Sequence, residues 1–158
     1  MEASISKDKI SKGQFIAELW KIKEKTFPKP ASALSKEELL HYAHFRGWIE
    51  DDDERHPDVA LNRQTAARIA HQFLRIECNL PDIEDITPAT ILKDLYNCRV
   101  CANHIAQIYL RGIMNAMNYQ AENQTVQIFN HLETVSQHEA EEIMTNISKC
   151  IKTTNILF

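Results

Sequence analysis

Apolar residues recur along most of this chain at steps of three and four. Phe15, Leu19 and Ile22 make one such stripe, and Ala66, Ile69, Ala70 and Phe73 a second. Cys101, Ile105 and Ile108 make a third, and Ala140, Ile143, Met144, Ile147 and Ile151 a fourth. A 3.6-residue period places each set on one helical face. The spacing predicts helices over 11–25, 35–46, 62–77, 88–96, 98–111 and 136–151, and assigns no element to 115–134. Strict alternation is scarce, so any strands are short. Helix punctuation agrees with these bounds. Ser35 with Glu38, and Ser136 with Glu139, have capping-box spacing, and Thr87-Pro88 reads as an N-cap followed by proline at the first helical position. Gly47 and Gly112 each end an apolar run, where a helix terminus favours a residue that adopts positive φ cheaply. Pro28 and Pro30 break the chain after the first helix, and Glu50 to Pro57 reads as a charged loop.

Composition narrows the function classes. The chain has 158 residues, 44% of them hydrophobic and 25% charged, which fits one domain over 1–158 with enough core to fold unaided. It has only three glycines, Gly13, Gly47 and Gly112, set far apart. That excludes a P-loop and a GxGxxG turn, and disfavours two-residue hairpins. The net charge of −4 is uneven. Residues 1–36 carry eight lysines against four acids, whereas residues 37–58 carry eight acids against two arginines. A net-acidic chain predicts no direct nucleic-acid partner. The polar start shows no signal peptide and no apolar run spans a membrane, so the expectation is a cytoplasmic chain with reduced thiols and no membrane partner, or a cell-surface one if a leader is missing.

Three segments align with one another. Ile10-Ser11-Lys12, Leu61-Asn62-Arg63 and Val135-Ser136-Gln137 each place an aliphatic residue before an N-cap type and a long polar residue. Behind them, Phe15, Ala66 and Ala140 share a column, as do Leu19, Ala70 and Met144, and Ile22, Phe73 and Ile147. Residues 43–50, AHFRGWIE, align likewise with residues 108–115, IYLRGIMN. The unit is a helix ending at glycine, a loop, and a capped second helix, with degenerate copies over about 10–25, 35–77 and 82–151.

This order resembles the S-layer homology repeat, whose unit has a Gly-Ile or Gly-Val turn, a loop, and an aliphatic-Thr-Arg-Ala-Glu helix start. The Asp-rich lead-in of that family has a counterpart in Pro81-Asp82-Ile83-Glu84-Asp85. The resemblance implies three tandem units in one pseudo-threefold helical body that binds pyruvylated cell-wall polysaccharide between repeats. The Arg of the motif stands at Arg63, with Lys12 and Gln137 in the other copies. Its Glu stands at Glu139, with Gln14 and Thr65 elsewhere.

Other strings carry chemistry less well. Cys98, Cys101 and His104 step by three and offer zinc-type donors, but one helix cannot close a tetrahedron with them. A CxxC pair also permits redox work, although the βαβ context of that motif is missing. Glu37, His41 and His44 share a helix face without the HExxH order, and the run Glu50-Asp51-Asp52-Asp53-Glu54 fails the glycine and glutamate positions of an EF-hand. The expectation is therefore an all-α, non-catalytic protein of three helix–loop–helix pseudo-repeats, with no cofactor or metal. It would bind a macromolecular partner, as an adaptor or small inhibitor. Cell-wall polysaccharide binding is the alternative, and metal binding the second. Candidate binding residues are Trp48, Arg63, Glu139, Asp51, Asp52 and Asp53.

Overall fold

A computed structural model describes residues 8–26 and 34–154. Helices α1 (Lys12–Thr26), α2 (Lys36–Arg46), α4 (Arg63–Glu77), α5 (Arg99–Leu110) and α6 (Gln137–Thr153) lie where the apolar stripes and, for α2, the Ser35 box and Gly47 predict them. The proline break at Pro28 and Pro30 lies outside the described residues.

The all-α expectation is corrected. Strands β1 (Met117–Ala121) and β2 (Gln124–Ile128) pair as an antiparallel hairpin in the stretch to which the spacing assigned nothing. Its two-residue turn is made without glycine, because Glu122 takes up φ 54°. The expected helix over 88–96 is also absent. Two short 3-10 turns, Thr87–Ile91 and Leu95–Asn97, replace it, with Ile86 rather than Thr87 at the cap. The acidic loop winds into the single-turn helix α3 (Asp51–Arg55), closed by reciprocal bonds between Glu50 and Asp53.

Capping explains where the long helices start. Ser11, Ser35, Asn62 and Ser136 each accept an amide of the following turn. Ser35 and Glu38 complete a reciprocal box. The Ser136 box is half-made: its hydroxyl accepts the Glu139 amide, while the Glu139 carboxylate turns to Arg63. At the other ends, Gly47 (φ 94°) and Gly112 (φ 72°) are left-handed. The following amides of Trp48 and Ile113 reach back to the Ala43 and Ile108 carbonyls, each at 3.0 Å. These are the same six-to-one closure in two places.

The three lead-ins to α1, α4 and α6 meet at one point. The Ile10 amide donates to the Val135 carbonyl (3.1 Å), Val135 to Leu61 (2.9 Å), and Leu61 to Ile10 (2.9 Å). The bonds form a closed ring, flanked by bridges Lys9–Ser136, Ser11–Ala60 and Asn62–Thr134. All three ring side chains are buried, as is every member of the three aligned columns except Met144, which is partly buried against the core. Gly13 takes a position where a side chain is crowded. Its amide donates to the Pro57 carbonyl at 2.8 Å, and an added Cβ would lie 3.1 Å from the Pro57 Cβ.

Candidate functional site

Of the candidate residues, Trp48, Arg63 and Asp53 turn inward, Glu139 is half-buried, and Asp51 and Asp52 are exposed. Trp48 is fully buried, packs edge-on against Phe73 with ring centroids 5.1 Å apart, and donates its indole N–H to Glu77 at 3.1 Å. Glu77 also accepts from Tyr42 (3.2 Å), Arg46 (2.9 Å) and Lys23. Burial works against its charge, but the bonds from Lys23 and Arg46 outweigh that and hold the carboxyl below its ordinary range. Trp48 therefore lines no groove. Its glycine turn delivers the ring into the core rather than to the surface.

Arg63 is likewise a core cation. Its Nε donates to the Phe129 carbonyl at 2.7 Å and Nη2 to the Asn115 carbonyl at 2.5 Å, while Nη1 pairs with Glu139. The guanidinium stacks on the Phe129 ring, 4.6 Å from its centroid. Burial pulls Arg63 down to about 10, still charged at neutral pH. A shallow cleft of about 310 Å3 lies beside it, with Glu139, His138 and Asn146 on its wall. Lys12, the aligned residue at the start of α1, pairs instead with α3, at Asp53 (3.0 Å) and Asp52 (3.3 Å).

The acidic run divides by position. Asp53 is buried and accepts from Arg68 twice (2.8 and 3.1 Å) and from the Glu50 amide (2.8 Å), so it is a structural anion. Asp51 and Asp52 stay on the surface, where Asp51 pairs with Arg55 at 2.9 Å. His41 and His44 both turn to Glu54, at 3.4 and 2.6 Å, not to Glu37.

The Cys98-Cys101-His104 string splits into two unrelated contacts. Cys98 and Cys101 are joined by a disulfide, which corrects the expectation of reduced thiols for this pair, while Cys78 and Cys150 are free. His104 instead faces His71, Nδ1 to Nδ1 at 2.7 Å, and His71 Nε2 meets Asp82 at 2.7 Å. Among the described residues, no group of three or more His, Cys, Asp or Glu side chains converges as a metal ion requires.

A larger cleft, about 530 Å3, opens between the hairpin and the start of α5. Gln64, Asn97, Cys98, Tyr119, His131 and Leu132 line it. Asp94 holds its floor together: its carboxylate accepts the Phe129 and Asn130 amides (2.7 and 2.8 Å), and its carbonyl meets His131 Nε2 at 2.7 Å. The Lys93 amide donates to Gln127 of β2 at 2.9 Å, so the hairpin is pinned to the 3-10 segment. Periodicity did not reveal this site, because its residues come from four separate segments. Of its lining, the sequence singles out only Cys98, through the CxxC string.

Among the described residues, no helix is long and apolar enough to cross a membrane. No family model, curated protein or solved structure matches the chain.

Proposed function

We propose that this chain is a non-catalytic protein-binding module on a scaffold similar to the S-layer homology set, and that the cleft beside the hairpin is its binding face. The observation that carries the reading is apolar exposure around that cleft. Tyr119 is 54% exposed and Leu132 73%. Aromatic and aliphatic side chains left in water beside a concavity are the usual anchors of a protein interface. The closed ring of Ile10, Leu61 and Val135 supports the scaffold half of the reading, since it relates three helix starts by one cyclic pattern. The test is a double variant, Tyr119→Ser with Leu132→Ser, compared with the parent in affinity capture from the host. Loss of a reproducible partner with an unchanged melting curve is expected. An identical set of captured proteins would sink the assignment.

A second reading keeps the polysaccharide implied by the resemblance. The cleft beside Arg63 and Glu139 favours it, lying between two of the ring-related helix starts. Co-sedimentation with purified cell-wall sacculi, abolished by Glu139→Ala, is its expected signature. No sedimentation at any salt concentration would remove it.

A further inference from the structure

We propose that the Cys98–Cys101 disulfide is a thiol–disulfide exchange site whose substrate is an apolar polypeptide carrying two cysteines. The proposal rests on the reading of the adjoining cleft as a polypeptide-binding face.

The disulfide makes a poor staple. Only two residues separate its cysteines, and closing so short a loop removes little entropy from the unfolded chain. A chain of this size has a core that does not depend on it. The two sulfurs also have different surroundings. Cys98 lines the cleft, whereas Cys101 packs on the edge of the core with its sulfur 3.8 Å from the Gln64 side-chain oxygen. A thiolate arriving through the cleft therefore meets Cys98 first.

The leaving sulfur is well placed. Cys98 is the N-cap of α5 and Cys101 lies in the first turn of that helix. No side chain caps α5, whereas Ser11, Ser35, Asn62 and Ser136 cap the other long helices. With no side chain on it, the positive end of α5 is thus free to stabilise a thiolate in its first turn, although the Cys101 amide itself is taken by the Cys98 carbonyl at 3.1 Å. Cys78 is the contrast. It is fully buried, and burial pushes its thiol up to about 12, so it carries no such chemistry.

The exchange balances without a further reagent. A substrate thiolate attacks the Cys98 sulfur, forming a mixed disulfide and breaking the Cys98–Cys101 bond, and Cys101 leaves as a thiolate. The second substrate thiolate then attacks the substrate sulfur of the mixed disulfide, releasing Cys98. The substrate dithiol loses two electrons and two protons and becomes a disulfide, and the cysteine pair gains them and becomes two thiols. The apolar rim of Tyr119 and Leu132 selects a polypeptide over a small thiol.

The test uses the oxidised full chain with a synthetic peptide holding two cysteines flanked by phenylalanine and leucine, its serine twin, and glutathione. We expect one peptide disulfide formed per chain, and a mixed disulfide at Cys98 in acid-quenched mass spectra. Tyr119→Ser with Leu132→Ser should slow the peptide reaction about tenfold and leave the glutathione rate unchanged. If the serine twin binds but the disulfide survives an excess of the cysteine peptide, exchange is wrong and the binding face stands. If the serine twin does not bind, the binding face is wrong and the proposal falls with it. Equal peptide rates in parent and double variant would overturn the substrate assignment.

Discussion

Trp48 donates its indole N–H to Glu77 across 3.1 Å, at a point where neither side chain reaches water. The carboxylate is the meeting place of α1, α2 and the glycine turn, through Lys23, Tyr42, Arg46 and Trp48. Removing it leaves a buried indole N–H without a partner, while Lys23 and Arg46 can turn to water. Glu77→Ala should cost about 1–3 kcal/mol in urea unfolding. Its pH signature follows from the sign of the shift. A carboxyl held below its ordinary range contributes stability above the unfolded value of about 4.3, and that contribution is lost as pH falls through the folded value. Glu77→Gln should flatten the stability profile in that acidic window only.

His104 predicts a second, separate window. Burial, then the neighbouring His71 and Arg68, lower it to about 4, against the opposing pull of Asp82. Between about pH 6.5 and this value the unfolded chain takes up a proton that the folded chain refuses. Stability should therefore begin to fall as pH drops below about 6.5, before Glu77 contributes. Urea midpoints measured from pH 7.5 down to 4.5, at about half-unit steps across the histidine range, should show a shallower slope for His104→Asn.

The ring of lead-ins predicts where the core is least tolerant. Leu61→Ala removes a fully buried side chain beside two ring bonds and should cost about 2–5 kcal/mol. Val100→Ala, at 85% exposure, should stay within about 0.5 kcal/mol of the parent. Chemical denaturation of the two variants side by side checks the contrast.

Much of this arrangement was legible before the structure. Helical periodicity predicts four of the five long helices, because amphipathic faces at 3.6-residue spacing state their own burial, and the Ser35 box and Gly47 bound the fifth. The alignment of Ile10, Leu61 and Val135 picked out residues that the backbone joins in one ring. What stayed hidden is long-range or atypical. Trp48 and Arg63 look like ligand groups because they are large and polar-tipped, but their partners, Glu77 and the Phe129 carbonyl, lie far along the chain. Asp53 looks solvated among its acidic neighbours until Lys12 and Arg68 close over it. The hairpin was missed because its turn uses Glu122 where glycine is the usual marker.

That turn carries a prediction of its own. A glutamate at φ 54° bears a steric cost that glycine avoids. Glu122→Gly should raise stability by about 0.5–1 kcal/mol, net of the entropy glycine loses on folding. A fall in the melting temperature would count against the left-handed turn.

The ring also sets an order of events during synthesis. A nascent chain that has emerged as far as α4 can make one of the three bonds, from Leu61 to Ile10. The other two need Val135, which the ribosome adds more than seventy residues after Leu61. Until then α1 and α4 can pack on each other, but α1 lacks its contact with α6. The last lead-in therefore works as a keystone. Its arrival, rather than the formation of any single helix, is what closes the junction.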